Sequence, residues 1–246
     1  MTKKEYKVPS KKQPIFKIVR KIFKIIMFRN IKVTLLCDNL PNKCIMVSNH
    51  FGKKGPMAYE IAIPIFNIKW GTFEMLGNYK SRRNYLKNIF YIQKQGMGKR
   101  KAAFKATFEA IFSKMMYKGL KVLGTYPDQR VRITIRNSIK VLEDDKAILI
   151  FPEDSNQGYF DVLTKFYSGF VILSEQYFKT HNEDLPIYPI YYSHILKRMV
   201  IGKPSYVQDL YKQGLNREEV AQYFCNEVNS LYYNYFEKDL KKVLNK

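Results

Sequence analysis

Short, wholly apolar runs alternate along this chain with longer segments whose apolar residues recur at helical spacing. Ala147-Ile-Leu-Ile-Phe151 is apolar at every position, which is how a strand covered on both faces reads. It follows the helix-patterned stretch Val131–Leu142 and the polar turn Glu143-Asp144-Asp145. Ile31–Cys37, Cys44–Ser48 and Leu185–Tyr192 also read as strands, with a turn at Asp38-Asn39-Leu40-Pro41 between the first two. Helical patterns occupy Met57–Ile63, Lys80 to about Gly119 with a break at Gly96–Gly98, Lys165–Thr180, and Arg217–Leu244. With no internal repeat and no Ser/Gly linker, this alternation predicts one α/β domain over residues 31–246. Its sheet is expected to be mixed and mostly parallel, with helices flanking it. At 46% hydrophobic and 26% charged residues, the 246-residue chain has material for a core and is not a disordered polymer. No run approaches the ~18 apolar residues of a membrane-spanning helix. Cys37, Cys44 and Cys225 have neither metal-ligand spacing nor an even count for disulfides, a pattern that points to a reducing compartment.

The net charge of +22 is concentrated in two places. Residues 1–30 hold ten basic side chains and one acid, and residues 75–108 hold nine basic side chains and no acid. Fields of this sign and strength attract polyanions, either nucleic acid or an anionic lipid surface. Within 1–30, a lysine-rich tail precedes Pro14, a residue suited to a first helical turn. Ile15, Ile18, Val19, Ile22, Ile25 and Ile26 then recur at helical spacing, with Lys17, Arg20, Lys21 and Lys24 between them. An amphipathic N-terminal helix of this kind lies in a membrane interface, gaining about 1 kcal/mol per basic residue near anionic headgroups. The same helix packed on the domain with a solvated basic face is the plainer reading. Lys99-Arg100-Lys101 is the densest spot of the second cluster, suited to a membrane, to the phosphates of coenzyme A, or to an acidic carrier protein.

Three segments carry residues suited to chemistry. Histidine occurs only at 50, 181 and 194. His50 follows a predicted strand in Ser48-Asn49-His50-Phe51-Gly52, at the strand end where α/β proteins expose reactive groups. Phe151-Pro-Glu-Asp-Ser-Asn-Gln-Gly-Tyr159 follows another strand, and Pro152 ends its ladder for want of an N–H. Gly124-Thr-Tyr-Pro-Asp-Gln-Arg130 delivers a guanidinium whose planar fork suits a phosphate. Taken singly, each has an ordinary alternative: a structural histidine, a capped surface turn, a solvated arginine.

In order and spacing, Asn49-His50, Gly124…Arg130, Phe151-Pro152-Glu153 and Leu185-Pro-Ile-Tyr-Pro-Ile190 resemble the four blocks of the lysophospholipid acyltransferase family, which includes the 1-acylglycerol-3-phosphate acyltransferases. Phe166-Tyr-Ser-Gly169-Phe170 is similar to a further glycine-containing stretch of that family, and the resemblance spans roughly residues 44–203. It departs at two points: Gly55 stands where the family's His-x4-Asp motif has aspartate, and Asp154 and Asn156 replace the glycine and arginine of its Phe-Pro-Glu block. With these departures the chain resembles a divergent bacterial branch of that family. The resemblance implies His50 as general base on an acceptor hydroxyl, Arg130 as phosphate clamp, and Glu153 with neighbouring backbone amides shaping the acceptor pocket. Asn49, Gly124, Phe151, Pro152 and Ser155 are implied around the acceptor. With Gly55 in place of aspartate, Glu60 and Glu153 are the nearest carboxylates to orient the imidazole. Acyl-CoA or acyl carrier protein is the expected donor, and no metal or other cofactor is expected.

The expected protein is thus a peripheral enzyme on the cytoplasmic face of a membrane, acylating a lysophospholipid hydroxyl. A catalytically weakened lipid-binding protein on the same fold is the alternative. A single-strand nucleic-acid binder would also account for the charge and for 19 Tyr and 17 Phe. No nucleic-acid motif accompanies them, and nucleic acid is not an expected partner.

Overall fold

A computed structural model describes residues 14–50, 52, 55–153 and 160–244. The lysine-rich tail, Asp154, Ser155 and Asn156 lie outside the described residues. The chain begins with helix α1 (Pro14–Ile26), strands β1 (Lys32–Leu35) and β2 (Ile45–Ser48), helix α2 (Gly55–Ala62) and strand β3 (Asn67–Thr72). A 3-10 turn (Phe73–Leu76), α3 (Tyr79–Asn84), a π-helical segment (Tyr85–Gln93) and the long α4 (Lys99–Gly119) follow. Next come β4 (Val122–Thr125), α5 (Val131–Glu143), β5 (Ala147–Ile150), α6 (Gly169–His181), β6 (Ile187–Ser193) and β7 (Arg198–Ile201). Helices α7 (Val207–Lys212), α8 (Arg217–Tyr235) and α9 (Glu237–Leu244) complete the order.

Among the described residues, seven strands form one sheet in the order β1-β7-β6-β2-β5-β3-β4. Neighbours are parallel except β6 and β7, so β6, β2, β5, β3 and β4 all end at one edge. The domain is α/β, with a mostly parallel mixed sheet between helical layers. Strand residues alternate between two cores, as side chains of period two must. Ile45, Val47, Ile148 and Ile150 face the layer that includes Phe170, Phe224 and Val228. Cys44, Met46, Ala147 and Leu149 face α1 and α2 through Phe16, Met57 and Tyr59. A third cluster joins the π-helical segment to α4, where Ala102, Ala106 and Ala110 form a fully buried small-residue stripe.

Strands β3, β4 and β7 are not anticipated by the sequence patterns. In β3 the reason is chemical: Asn67-Ile-Lys-Trp-Gly-Thr72 reads as polar, yet Lys69 is 1% exposed. Its ammonium is 2.5 Å from Glu60 Oε2 and 2.7 Å from Asn67 Oδ1, and Lys121 pairs with Glu60 through the other carboxylate oxygen. Burial opposes the charge of Glu60, but Lys69 and Lys121 outweigh it and hold the carboxyl below its ordinary range. Burial takes Lys69 down to about 8 against the attraction of Glu60. The long basic pattern from Lys80 is divided between α3, the π-helical segment and α4, with Gly96 at φ +61° in the break. The C-terminal pattern is likewise divided, at Phe236, into α8 and α9.

Helix α1 packs onto this body. Phe16 is 6% exposed and lies against Gly119 so closely that a Cβ there would sit 2.0 Å from its ring. The Arg20 guanidinium donates to the Glu60 carbonyl at 3.2 Å, and Phe28 is buried beyond the helix end.

Because one carboxylate compensates two buried ammonium groups, Glu60→Gln is expected to destabilise the fold by about 3 kcal/mol or more. Urea denaturation at pH 7 measures this; wild-type stability in the variant would mean that the lysines are solvated.

Candidate active site

Parallel pairing of β2 with β5 matches Val47 to Ile150. Continued three residues beyond that pair, the register sets His50 opposite Glu153. The His50 backbone N–H donates to Glu153 Oε1 at 2.8 Å. The imidazole meets the Phe151 ring edge-on, with centroids 4.9 Å apart. An isolated antiparallel bridge to Phe166 and a bond from the Tyr167 N–H to the Pro152 carbonyl (2.8 Å) fix the Phe-Pro-Glu corner from the far side. The base and acid candidates of the sequence reading are therefore adjacent at the carboxyl edge of the sheet.

Behind them lies a cavity of about 420 Å³, bounded by the sheet, α1, α2, the π-helical segment and α4. Phe28, Met57, Phe90, Met116 and Phe151 give it an apolar wall, and His50, Lys69, Lys94 and Glu109 are the acid and base side chains that reach it. Its volume and lining are those of a site for a small apolar ligand with a few polar groups. Desolvation, with the Lys94 charge adding to it, lowers the His50 imidazole to about 4. Burial raises the Glu153 carboxyl to about 8, against the His50 N–H bond and the Lys94 charge. At neutral pH the imidazole is uncharged and most of the carboxyl retains its proton.

Other anticipated residues stand elsewhere. The Asn49 side chain is 4% exposed; it accepts from the Tyr192 N–H (2.9 Å) and donates to the Tyr192 carbonyl (3.0 Å). Tyr59 donates to it from the other side at 3.0 Å. Asn49 thus fastens the end of β2 to β6 and lines no part of the cavity wall. Gly124 gives the 3-10 turn its close approach, since a Cβ would lie 3.2 Å from Leu76 and 3.3 Å from Phe73. Arg130, expected beside His50, follows β4, three strand spacings or roughly 14 Å across the sheet from β2. Its guanidinium pairs with exposed Asp128 at 2.7 Å and lies over the Phe73 and Tyr126 rings, 4.8 and 4.7 Å from their centroids. Glu60 serves the lysine pair described above. Phe151 and Pro152 belong to the site, and Ser155 lies outside the described residues. His181 ends α6, stacked on Tyr177, and His194 packs by Phe28 and Tyr192.

Lys94, like Lys69 and Glu109, is a cavity residue that sequence reasoning missed. It caps the π-helical segment, its N–H bonded to the Ile89 carbonyl at 2.9 Å. A π turn shifts the facing of every residue after it, so α-helical periodicity does not locate this ammonium. Its visible signal is membership of the acid-free basic cluster. No protein-family model matches the chain, and no curated protein sequence matches it.

An acid held at a higher pKa in the folded than in the unfolded chain binds its proton more tightly when folded. Its stabilisation is full below the ordinary value of 4.5 and is lost as pH rises through about 8. Glu153→Gln is therefore expected to match wild type near pH 4 and to melt at a higher temperature at pH 9. Thermal unfolding across that range measures the difference, and parallel pH profiles would contradict the buried carboxyl.

Proposed function

We propose that this protein transfers a fatty acyl group from a thioester donor, acyl-CoA or acyl carrier protein, to a hydroxyl of a lysophospholipid such as 1-acylglycerol-3-phosphate. The observation carrying the reading is the placement of His50 at the wall of the apolar cavity with Glu153 bonded to its backbone, on the strand ends where the family resemblance expects its first and third blocks. The cavity suits an acyl chain, and its basic side chains suit the phosphate groups that donor and acceptor share. The enzyme would work as a peripheral protein on the cytoplasmic face of a membrane.

In the proposed reaction the neutral His50 imidazole takes the proton of the acceptor hydroxyl as its oxygen attacks the thioester carbonyl. The carbon–sulfur bond then breaks, and the imidazolium returns the proton to the departing thiolate. The products are an ester and a free thiol, with no net proton change. An imidazole held near pKa 4 is a weak base. Ionisation of Glu153 beside it raises that basicity, so turnover increases as pH climbs toward about 8. Lys94, rather than Arg130, is the cavity cation whose charge acts on the imidazole, Lys69 being paired with Glu60, and it opposes the negative charge that develops on the carbonyl oxygen.

A catalytically weakened lipid-binding protein is the second reading, favoured by Gly55 at the family's aspartate position and by the separation of Arg130 from His50. Binding of lysophosphatidic acid by wild type without turnover of any acyl thioester would select it.

His50→Ala is expected to lower transfer from long-chain acyl-CoA to lysophosphatidic acid by about 100-fold or more, with an unchanged circular dichroism spectrum. Transfer at the wild-type rate removes His50 from the mechanism. Wild-type kcat/KM is expected to rise between pH 6 and 9 with an inflection near 8, and Glu153→Gln to lose that inflection.

A further inference from the structure

Helix α4 has two opposed apolar faces. Ala102, Ala106 and Ala110 are buried against the π-helical segment, and Ser113 beyond them accepts from Arg82 of α3. Phe104, Phe108, Ile111, Phe112 and Met115 recur three and four residues apart on the opposite side and are exposed, Phe104 to 67% and Phe112 to 62%. Five large side chains in one exposed stripe form a patch of the kind soluble monomers rarely leave uncovered. Exposed Arg100, Lys101, Lys105, Lys114 and Lys118 flank it, and the one acid of the helix, Glu109, accepts from the Tyr91 hydroxyl. Helix α1, joined to α4 at the Phe16–Gly119 contact, repeats the pattern. Ile15, Ile18, Ile22, Ile25 and Ile26 are exposed while Phe16, Val19 and Phe23 face inward, and Lys17, Lys21 and Lys24 occupy the remaining side.

The cavity meets this surface. Phe112 belongs to the exposed stripe and also lines the cavity, as do Phe23 of α1 and Met116 of α4. We infer that α1 and α4 together form one bilayer-facing surface, and that lipid tails pass sideways from the bilayer into the cavity between them, past Phe112. The occupant is an anionic lipid leaflet: an apolar centre rimmed by ammonium groups with no exposed carboxylate on either helix matches acyl chains beneath anionic headgroups. The inference deepens the proposed function by naming the route of its lipid substrate, and it can be tested without turnover.

Trp70 is the chain's single tryptophan; it stands on β3 in the cavity wall with its indole turned to Ser138 on the other face of the sheet, so bromine atoms on an acyl tail that enters come to it across the thickness of the sheet and quench it in part. The full chain is mixed with phosphatidylglycerol/phosphatidylcholine vesicles containing lysophosphatidic acid with a brominated tail, and flotation and Trp70 emission are read together. Wild type is expected to float with the vesicles and to lose part of its emission. Phe104→Ser/Phe108→Ser/Ile111→Ser alters only exposed side chains and is expected to retain the wild-type melting temperature. Its vesicle partition should fall at least tenfold, with quenching lost at matched lipid. Phe112→Asp is expected to float and yet to lose most of the quenching. Unchanged partition in the α4 triple variant overturns the inference, as does a wild-type dimer that the triple variant converts to monomer with no lipid binding in either. If wild type floats and is quenched but transfers no acyl group from any thioester, the proposed function fails and this surface stands.

Discussion

The site depends on the parallel register of β2 and β5. Because Val47 lies opposite Ile150, the two chains leave the sheet in step, and three residues beyond that pair His50 and Glu153 are bound backbone to side chain at 2.8 Å. A slip of one residue would turn every side chain of β2 to the other face and separate this pair. Asn49 protects against that slip by holding both backbone groups of Tyr192 on β6. Ser48 adds a bond to the Ile190 carbonyl at 2.8 Å. The polar residues that end β2 thus set the position of the imidazole without reaching the cavity themselves.

One consequence of that position is electrostatic. Both members of the pair stand where their charged forms are disfavoured, the imidazole lowered and the carboxyl raised, and Lys94 deepens the first effect while easing the second. An anionic ligand near Lys94 would offset its charge and move His50 back toward its ordinary value. Binding of a phosphate-bearing substrate and basicity of the imidazole are then coupled through one ammonium. At the other end of the cavity wall, the buried Lys69–Glu60–Lys121 group joins β3, α2 and the turn before β4. The Arg20 bond to the Glu60 carbonyl brings α1 into the same network. The helix that carries the exposed isoleucines is therefore tied to the cavity by a charged cluster and by the Phe16–Gly119 contact.

What the sequence discloses follows from which forces leave a local pattern. Ala147–Ile150 was legible as a strand because a strand buried on both faces must be apolar throughout, and His50 and Glu153 were legible as strand-end residues; that their strands are neighbours is set by the parallel pairing of β2 and β5. Strand β3 was hidden because Lys69 is neutralised by a carboxylate nine residues earlier, a pairing visible only after folding. Lys94 was hidden by the π-helical turn. Arg130 fitted the expected spacing, but its own Asp128 and two aromatic rings satisfy it on another strand's edge. The stripe on α4 was masked by its alternation with lysines, whose charge was read and whose apolar neighbours were not. On α1 the isoleucines were read as a lipid-facing stripe, and the structure leaves five of them exposed while other residues dock the helix.

With only three histidines in the chain, nitrogen-15 labelling of histidine gives a direct test of where a substrate lies. The measurement is the set of imidazole resonances at pH 7 before and after addition of a long-chain acyl-CoA thioether, which binds like the thioester but cannot transfer its acyl group. The account predicts that the His50 signals move and that those of His181, held on Tyr177 at the far end of α6, do not. Saturation binding that leaves the His50 signals in place, or that moves those of His181 instead, would contradict it.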